Sequence, residues 1–236
     1  MTFLAEQLPL HLSPTEQYSI DSFYFSQIEL KQAIEHFCDM SDINFLYLWG
    51  KEATGKSHLL LAIAEQMQYR GLQVSYLPLA ELTQSTSPEL LQSLEQLSLL
   101  CIDDLQSIAE KPAWQEALFH CFNRLQQTGC KLLVAADHTP SGLQLELADL
   151  QSRLGSGLIY HIASLTDEGK RTALIQQAVA RGLDMPVDVA KYILRHHSRD
   201  LKKLMIDLQQ LDKASMAAKR RLTIPFVKQI LTNGYN

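Results

Sequence analysis

No apolar run of about 18 residues or more occurs in this sequence, which argues against a membrane-spanning helix. The opening residues, MTFLAEQLPLHL, have neither the basic start nor the long apolar core of a secretory signal. Cysteine is scarce: Cys38, Cys101, Cys121 and Cys130, with no C-x-x-C pair and no histidine cluster beside them. That excludes a disulfide framework and speaks against a zinc site. The four read as reduced, structural thiols of a cytoplasmic protein. Internal repeats and low-complexity tracts are also missing, so no solenoid or disordered linker is expected.

What remains suits a globular chain. Its 236 residues are 46% hydrophobic, enough for one full-sized domain or a larger domain with a small companion. The net charge of -5 is unevenly spread. From residue 165 onward there are 13 Lys and Arg against 7 Asp and Glu, a balance of +6. The residues before it carry 8 against 19, a balance of -11. A basic module of this kind either meets nucleic acid or an acidic partner, or is an ordinary solvated helical surface.

Residues 1–17 contain two prolines and no clear period, and read as a mobile leader. In SQIELKQAIEHFCDM, Ser26 is placed to cap a helix with Glu29 at the reciprocal position. FLYLW, QVSYLPL, SLLCIDD, CKLLVAAD and LIYHI read as strands. KSHLLLAIAEQMQYRG, SPELLQSLEQL and PAWQEALFHCFNRLQQTG read as helices between them, with Ser87 starting the second. Alternating strands and helices predict an α/β domain with a covered parallel sheet. Beyond Leu165 only helical periods remain: DEGKRTALIQQAVARG, PVDVAKYILRHH, RDLKKLMIDLQQLDKASMAAKR and IPFVKQIL. The expected division is a leader over 1–17, a nucleotide-binding α/β domain over 18–164, and a small all-helical domain over 165–236.

GKEATGKS, residues 50–57, fits the phosphate-loop pattern G-x-x-x-x-G-K-S at every fixed position, between a strand and a helix. Gly50 and Gly55 let the backbone wrap phosphates. The amides of Lys51, Glu52, Ala53 and Thr54, with the helix start, face the negative charge. Lys56 is expected at the β- and γ-phosphates, and Ser57 at magnesium. In LLCIDD, the apolar strand delivers Asp103 and Asp104 to its carboxyl end, where ligands of open α/β sheets gather. Asp103 is expected to contact magnesium directly or through water. Asp104 either polarises an attacking water or arranges its neighbours, the bland alternative being a solvated acidic turn.

The order of segments carries a resemblance. The phosphate loop is followed by LLCIDD, LLVAADHTP, LQSRLGSG and a helical region with SRDLKKLM. This arrangement resembles the AAA+ ATPases of the bacterial initiator DnaA clade, in particular its shorter replication regulators. QLPLHL and RRLTIPFVKQIL near the two ends match those regulators. The resemblance implies a P-loop parallel-sheet domain followed by a helical lid, with ADP or ATP and Mg2+ as cofactors. It makes Asp137 the first-sensor residue near the γ-phosphate, where the residues alone also allow a turn cap before Pro140. It makes Arg153 an arginine offered across a subunit interface, where the residues alone suggest a surface arginine. The second-sensor position, usually arginine, holds Lys202, with Arg199 one turn earlier on the same helical face. A lysine there is a point charge and not a fork, which weakens the expectation of efficient hydrolysis within this chain. Gln7, Leu8, Leu10 and Leu12 match a segment that binds the DNA polymerase III sliding clamp, its beta subunit. Leucines near a terminus also serve simply as packing.

By this resemblance the partners are the replication initiator DnaA and the loaded clamp, with DNA met mainly through the clamp. A homodimer that hides Arg153 is compatible with the same reading. No helix-turn-helix domain is expected after PFVKQIL, and therefore no sequence-specific DNA binding. Three functions compete. The first is a nucleotide-bound negative regulator of chromosomal replication initiation that promotes ATP hydrolysis on DnaA through Arg153. The second is a free-standing ATPase or loader. The third is a DNA-binding or scaffold module.

Overall fold

A computed structural model describes residues 18–39 and 42–233. The leader residues Gln7, Leu8, Leu10 and Leu12 lie outside the described residues. The chain divides into two compact units. Among the described residues, the first comprises 18–19, 27–39, 42–52 and 56–162, and the second 20–26, 53–55 and 163–233.

In the first unit, α1 (Ile28–Cys38) leads to β1 (Phe45–Trp49), and α2 (Lys56–Tyr69) to β2 (Val74–Pro78). Then follow α3 (Leu79–Ser85), a 3-10 turn at Pro88–Leu91, β3 (Leu99–Asp103), a second 3-10 turn at Leu105–Ile108 and α4 (Pro112–Thr128). β4 (Lys131–Ala136), α5 (Ala148–Leu154) and β5 (Leu158–His161) complete it. All strand pairs are parallel, in the order β2-β3-β4-β1-β5. β3 and β4 are buried at every position, as continuous apolar strands covered on both faces should be. Period-two alternation divides the core. Leu100, Ile102, Leu132 and Val134 join Trp114, Leu118 and Phe122 of α4 in one cluster. α2 packs on β2, β3 and β4, and its Leu59, Leu60, Ile63 and Met67 are buried.

Three local expectations fail. Gln27, not Ser26, is the N-cap of α1, and it makes no side-chain capping bond. The helix expected from Ser87 is only the turn Pro88–Leu91, because Gln92 is extended and Ser93 takes φ 61°. α3, absent from the sequence reading, follows directly on Pro78, where the strand had been extended to Leu79. The stop at Gly129 is real: its φ of 73° is the left-handed C-cap that glycine adopts without a Cβ penalty.

The second unit contains α6 (Asp167–Ala180), α7 (Val187–His196), α8 (Leu201–Ala218) and α9 (Ile224–Asn233). Leu174, Ala190, Ile193, Leu204, Leu208, Val227 and their neighbours form its own core. Thr166 caps α6 by accepting from Gly169 N–H, and Asp200 caps α8 by accepting from Lys203 N–H. Gln177 donates to the carbonyl and the hydroxyl of Ser22, both at 3.0 Å. Among the described residues, no helix is long and apolar enough to cross a membrane.

Candidate nucleotide-binding site

β1, β3 and β4 end at the same edge of the sheet, and each delivers polar groups there. Gly50 follows β1, and its N–H donates to Ala136 O of β4 at 3.2 Å. The loop then takes two left-handed residues, Ala53 (φ 58°) and Gly55 (φ 95°), before α2 starts at Lys56. Positive φ at a residue with a Cβ is uncommon and strained. Here it belongs to the turn that a phosphate loop requires.

Lys56 is buried, at 8% exposure. Its ammonium donates to Gly50 O at 2.7 Å and Lys51 O at 2.9 Å. Burial draws its pKa below the ordinary lysine value, against the opposing pull of Asp103, Asp104, Asp137 and Glu52. Lys51 and Glu52 are exposed.

Asp103 is 1% exposed and fully engaged. It accepts from Tyr76 Oη at 2.8 Å and from Asp104 N–H at 2.9 Å, and also from the Ser57 hydroxyl. Burial raises its carboxyl above the usual range, and the bonds from Ser57 and Tyr76 work against that rise. Asp104 adopts the left-handed conformation, φ 54° and ψ 46°, turning the chain out of the sheet. Its carboxylate accepts from Gln106 Nε2 at 3.0 Å. Gln106 Oε1 in turn accepts from Asp137 N–H at 3.2 Å. His138 Nδ1 lies 2.9 Å from Asp137 Oδ1. Thus Gly50, Lys56, Ser57, Asp103, Asp104 and Asp137 share one hydrogen-bonded edge.

Sequence reasoning missed Tyr76 and Gln106. Gln106 stands two positions after Asp104, within reach of a turn made there. Tyr76 needed the register: it pairs with Cys101, and Asp103 is the next residue on that face of β3.

Arg153 lies elsewhere. It occupies the last turn of α5, is exposed, and forms no ion pair among the described residues. The carbonyl of Arg153, not its guanidinium, accepts from Ser156 N–H and Oγ, at 3.1 and 2.7 Å. α5 leads to Leu158, which is in register with Leu46 near the start of β1. Arg153 therefore precedes the amino edge of the sheet, whereas the phosphate loop leaves the carboxyl edge. The two edges are one strand apart, about 13 Å at ~3.3 Å per residue.

Arg199 and Lys202 belong to the second unit, and both are exposed. Arg199 precedes the N-cap of α8, so the helical face it was expected to share with Lys202 does not exist. Its Nη1 lies 3.9 Å from Asp167 Oδ2, an exposed pair of small energetic weight.

The donor set fits a magnesium nucleotide. Ser57 and Asp103 offer hard oxygen ligands, Lys56 a cation, and α2 the start of a 14-residue helix. Among the described residues no group of three or more His, Cys, Asp or Glu gathers around a metal position. Magnesium is commonly held by one or two protein oxygens together with substrate phosphates, and Ser57 and Asp103 offer two such oxygens. Fold and site thus define a P-loop nucleotide-binding domain of the AAA+ class.

Comparison with known proteins narrows the class. Residues 28–161 match the bacterial DnaA ATPase domain family, and residues 167–231 match the family described as the Hda lid domain. Domain III of the Thermotoga maritima replication initiation protein DnaA superposes with a TM-score of 0.75 at 20% identity, over 94% of this chain and 98% of that one. DnaA from Aquifex aeolicus, bound to AMPPCP, gives 0.69 at 23% identity, over 87% and 67%. The Holliday junction branch migration motor RuvB of Thermotoga maritima gives 0.61 at 18%, over 92% and 72%. At these identities the solved structures establish the fold. The family matches establish more: the chain belongs to the DnaA family of AAA+ ATPase domains and carries an Hda-type lid. Its role is accordingly in the regulation of DnaA-dependent replication initiation.

Proposed function

We propose that this chain is an ADP-carrying, cytoplasmic negative regulator that promotes hydrolysis of ATP bound to a DnaA-type initiator. Arg153 supplies the transition-state charge in trans. The reading rests on one observation: Arg153 is exposed, unpaired among the described residues, and at the sheet edge opposite its own phosphate loop. A guanidinium on the helix that leads into the amino end of β5 is poorly sited for a nucleotide at the carboxyl edge and open to a neighbour's. Lys56, Ser57 and Asp103 hold the resident magnesium nucleotide, which keeps the sheet edge ordered. Gln7, Leu8, Leu10 and Leu12 bring the chain to a loaded sliding clamp. Proline disfavours the helical region for the residue before it, so a Leu-Pro-Leu sequence suits a peptide entering a groove.

The test measures phosphate release from the chain, from initiator, and from the mixture with clamp and DNA. A large gain only in the complete mixture, lost with Gln7→Ala/Leu8→Ala, supports the reading. Equal stimulation by that double variant rejects the clamp segment. A second reading, a free-standing ATPase, is favoured by the assembled Lys56, Asp103 and Asp104. Phosphate release by the chain alone at the rate of the mixture would establish it instead.

A further inference from the structure

We infer that Gln106 is a positioning residue that ties the acid Asp104 to the phosphate loop through the end of β4. This rests on the reading of the edge as a magnesium-nucleotide site. The paired ladder between β3 and β4 ends at Ile102 and Val134, and Asp104 then turns the chain away. That turn takes the backbone of β3 away from the end of β4. Gln106 fills the gap with a side chain: its Oε1 accepts from Asp137 N–H at 3.2 Å. The carbonyl of that same peptide, Ala136 O, points the other way and accepts from Gly50 N–H at 3.2 Å. The opposite end of the amide donates to Asp104 Oδ1 at 3.0 Å.

A continuous line of hydrogen bonds therefore runs from Asp104, through Gln106 and the 136–137 peptide, to the first glycine of the phosphate loop. Each bond polarises the next, and all point in one sense. The orientation of the amide is fixed chemically. A carboxylate only accepts and a backbone N–H only donates, so the nitrogen must face Asp104 and the oxygen Asp137. Glutamine offers one donor end and one acceptor end on a single planar amide at this length. The strained left-handed Asp104 is held by this bond, and so is its aim along the edge. Loss of the amide releases Asp104 and the end of β4 from each other while leaving Asp103 and Ser57 bonded.

The experiment titrates fluorescent ADP and AMPPCP into the full chain, in magnesium and in EDTA. It compares the parent with Gln106→Met, Gln106→Glu and the exchanged pair Asp104→Asn/Gln106→Glu, and records the melting temperature of each without nucleotide. Gln106→Met removes both bonds but leaves Ser57 and Asp103 in place, so its effect reaches nucleotide through the phosphate loop and should lower affinity about tenfold in magnesium and in EDTA alike. Gln106→Glu keeps the acceptor but sets two carboxylates together, and should lose as much affinity and also melt lower. The exchanged pair restores one amide and one carboxylate and should regain most of that melting temperature. Unchanged affinity in Gln106→Met, or a loss seen in magnesium alone, overturns the proposal. So does an exchanged pair that melts no higher than Gln106→Glu. If Gln106→Met does not fold, the exchanged pair against Gln106→Glu decides. A parent that binds neither nucleotide overturns the site reading and the proposal with it. A parent that binds, with variants indistinguishable from it, overturns the proposal alone.

Discussion

The two edges of the sheet hold their charges in opposite ways. At the carboxyl edge, Lys56 and Asp103 are buried, and each is satisfied by groups of the same chain. At the amino edge, Arg153 stands exposed with no acidic partner among the described residues. A buried charge must find partners within its own fold, because desolvation is otherwise too costly. An exposed guanidinium keeps its five donors for something else. The contrast is what a chain would show if one edge retains a ligand and the other is offered to a different molecule.

The largest expected effect breaks the comparison at the amino edge. Arg153→Ala should reduce stimulation of initiator ATP hydrolysis about a thousandfold or more, the range of arginine groups acting in trans. ADP affinity and melting temperature should stay near the parent values, because the side chain is exposed and makes no ion pair among the described residues. Phosphate release in the complete mixture, alongside an ADP titration, measures both. Normal stimulation by Arg153→Ala would sink the assignment.

The second effect belongs to the carboxyl edge. Saturating ADP at a hundred times its Kd should stabilise the parent by about 2.7 kcal/mol, or roughly 5–10 °C in melting temperature. Lys56→Ala should abolish that shift. An ADP-dependent shift of parental size in this variant would show that the lysine does not hold the phosphates.

A third effect tests what sets the amino edge. A Cβ at Gly157 would sit 2.7 Å from Phe45 Cγ and closer still to Cδ1. Gly157→Ala should therefore cost about 1–3 kcal/mol, since the ring of Phe45 packs edge-on against Phe122 and cannot yield freely. Urea unfolding reads this directly, and a loss below a few tenths of a kcal/mol would mean the start of β5 shifts at no cost. Gly182→Ala sharpens the contrast. A Cβ there meets nothing within 4 Å, so only its φ of 74° opposes the change.

The sequence announces the carboxyl edge because its chemistry is contiguous. Lys56 and Ser57 sit inside one eight-residue pattern, and Asp103 ends an apolar strand, so spacing alone nominates them. What escapes the sequence depends on register and turn geometry. Tyr76 meets Asp103 only because β2 and β3 pair Tyr76 with Cys101. Gln106 meets Asp137 only because Asp104 takes a left-handed turn. The helix after Ser87 fails for a related reason: good capping residues do not prevent a left-handed Ser93 from ending the turn. The caps Thr166 and Asp200, by contrast, carry the usual signal, a short oxygen-bearing side chain just before a helical period. The cap at Asp200 leaves Arg199 outside α8.

The smallest effect concerns Tyr76, whose hydroxyl donates to Asp103 Oδ2 at 2.8 Å. Tyr76→Phe removes that donor and keeps the ring, so packing is unchanged. Asp103 then retains Ser57 and Asp104 N–H as donors. The expected loss is about 1 kcal/mol, larger than for a neutral bond only if the carboxylate is ionised. The pH dependence separates the two cases. Burial raises the folded carboxyl above its ordinary value, and the tyrosine bond opposes that rise. An acid with a raised folded pKa is most favoured in its protonated form, so its contribution to stability declines as pH rises from below the unfolded value through the folded one. Without the tyrosine the rise is larger and the decline extends to higher pH. The difference between Tyr76→Phe and the parent should therefore grow as pH rises above the ordinary carboxylate range. It should shrink as pH falls into the carboxylate range. Urea unfolding at pH 8 and near pH 5 measures it. An equal loss at both would mean that the hydroxyl serves packing or hydration, and that Asp103 is held at this edge by Ser57 and the backbone alone.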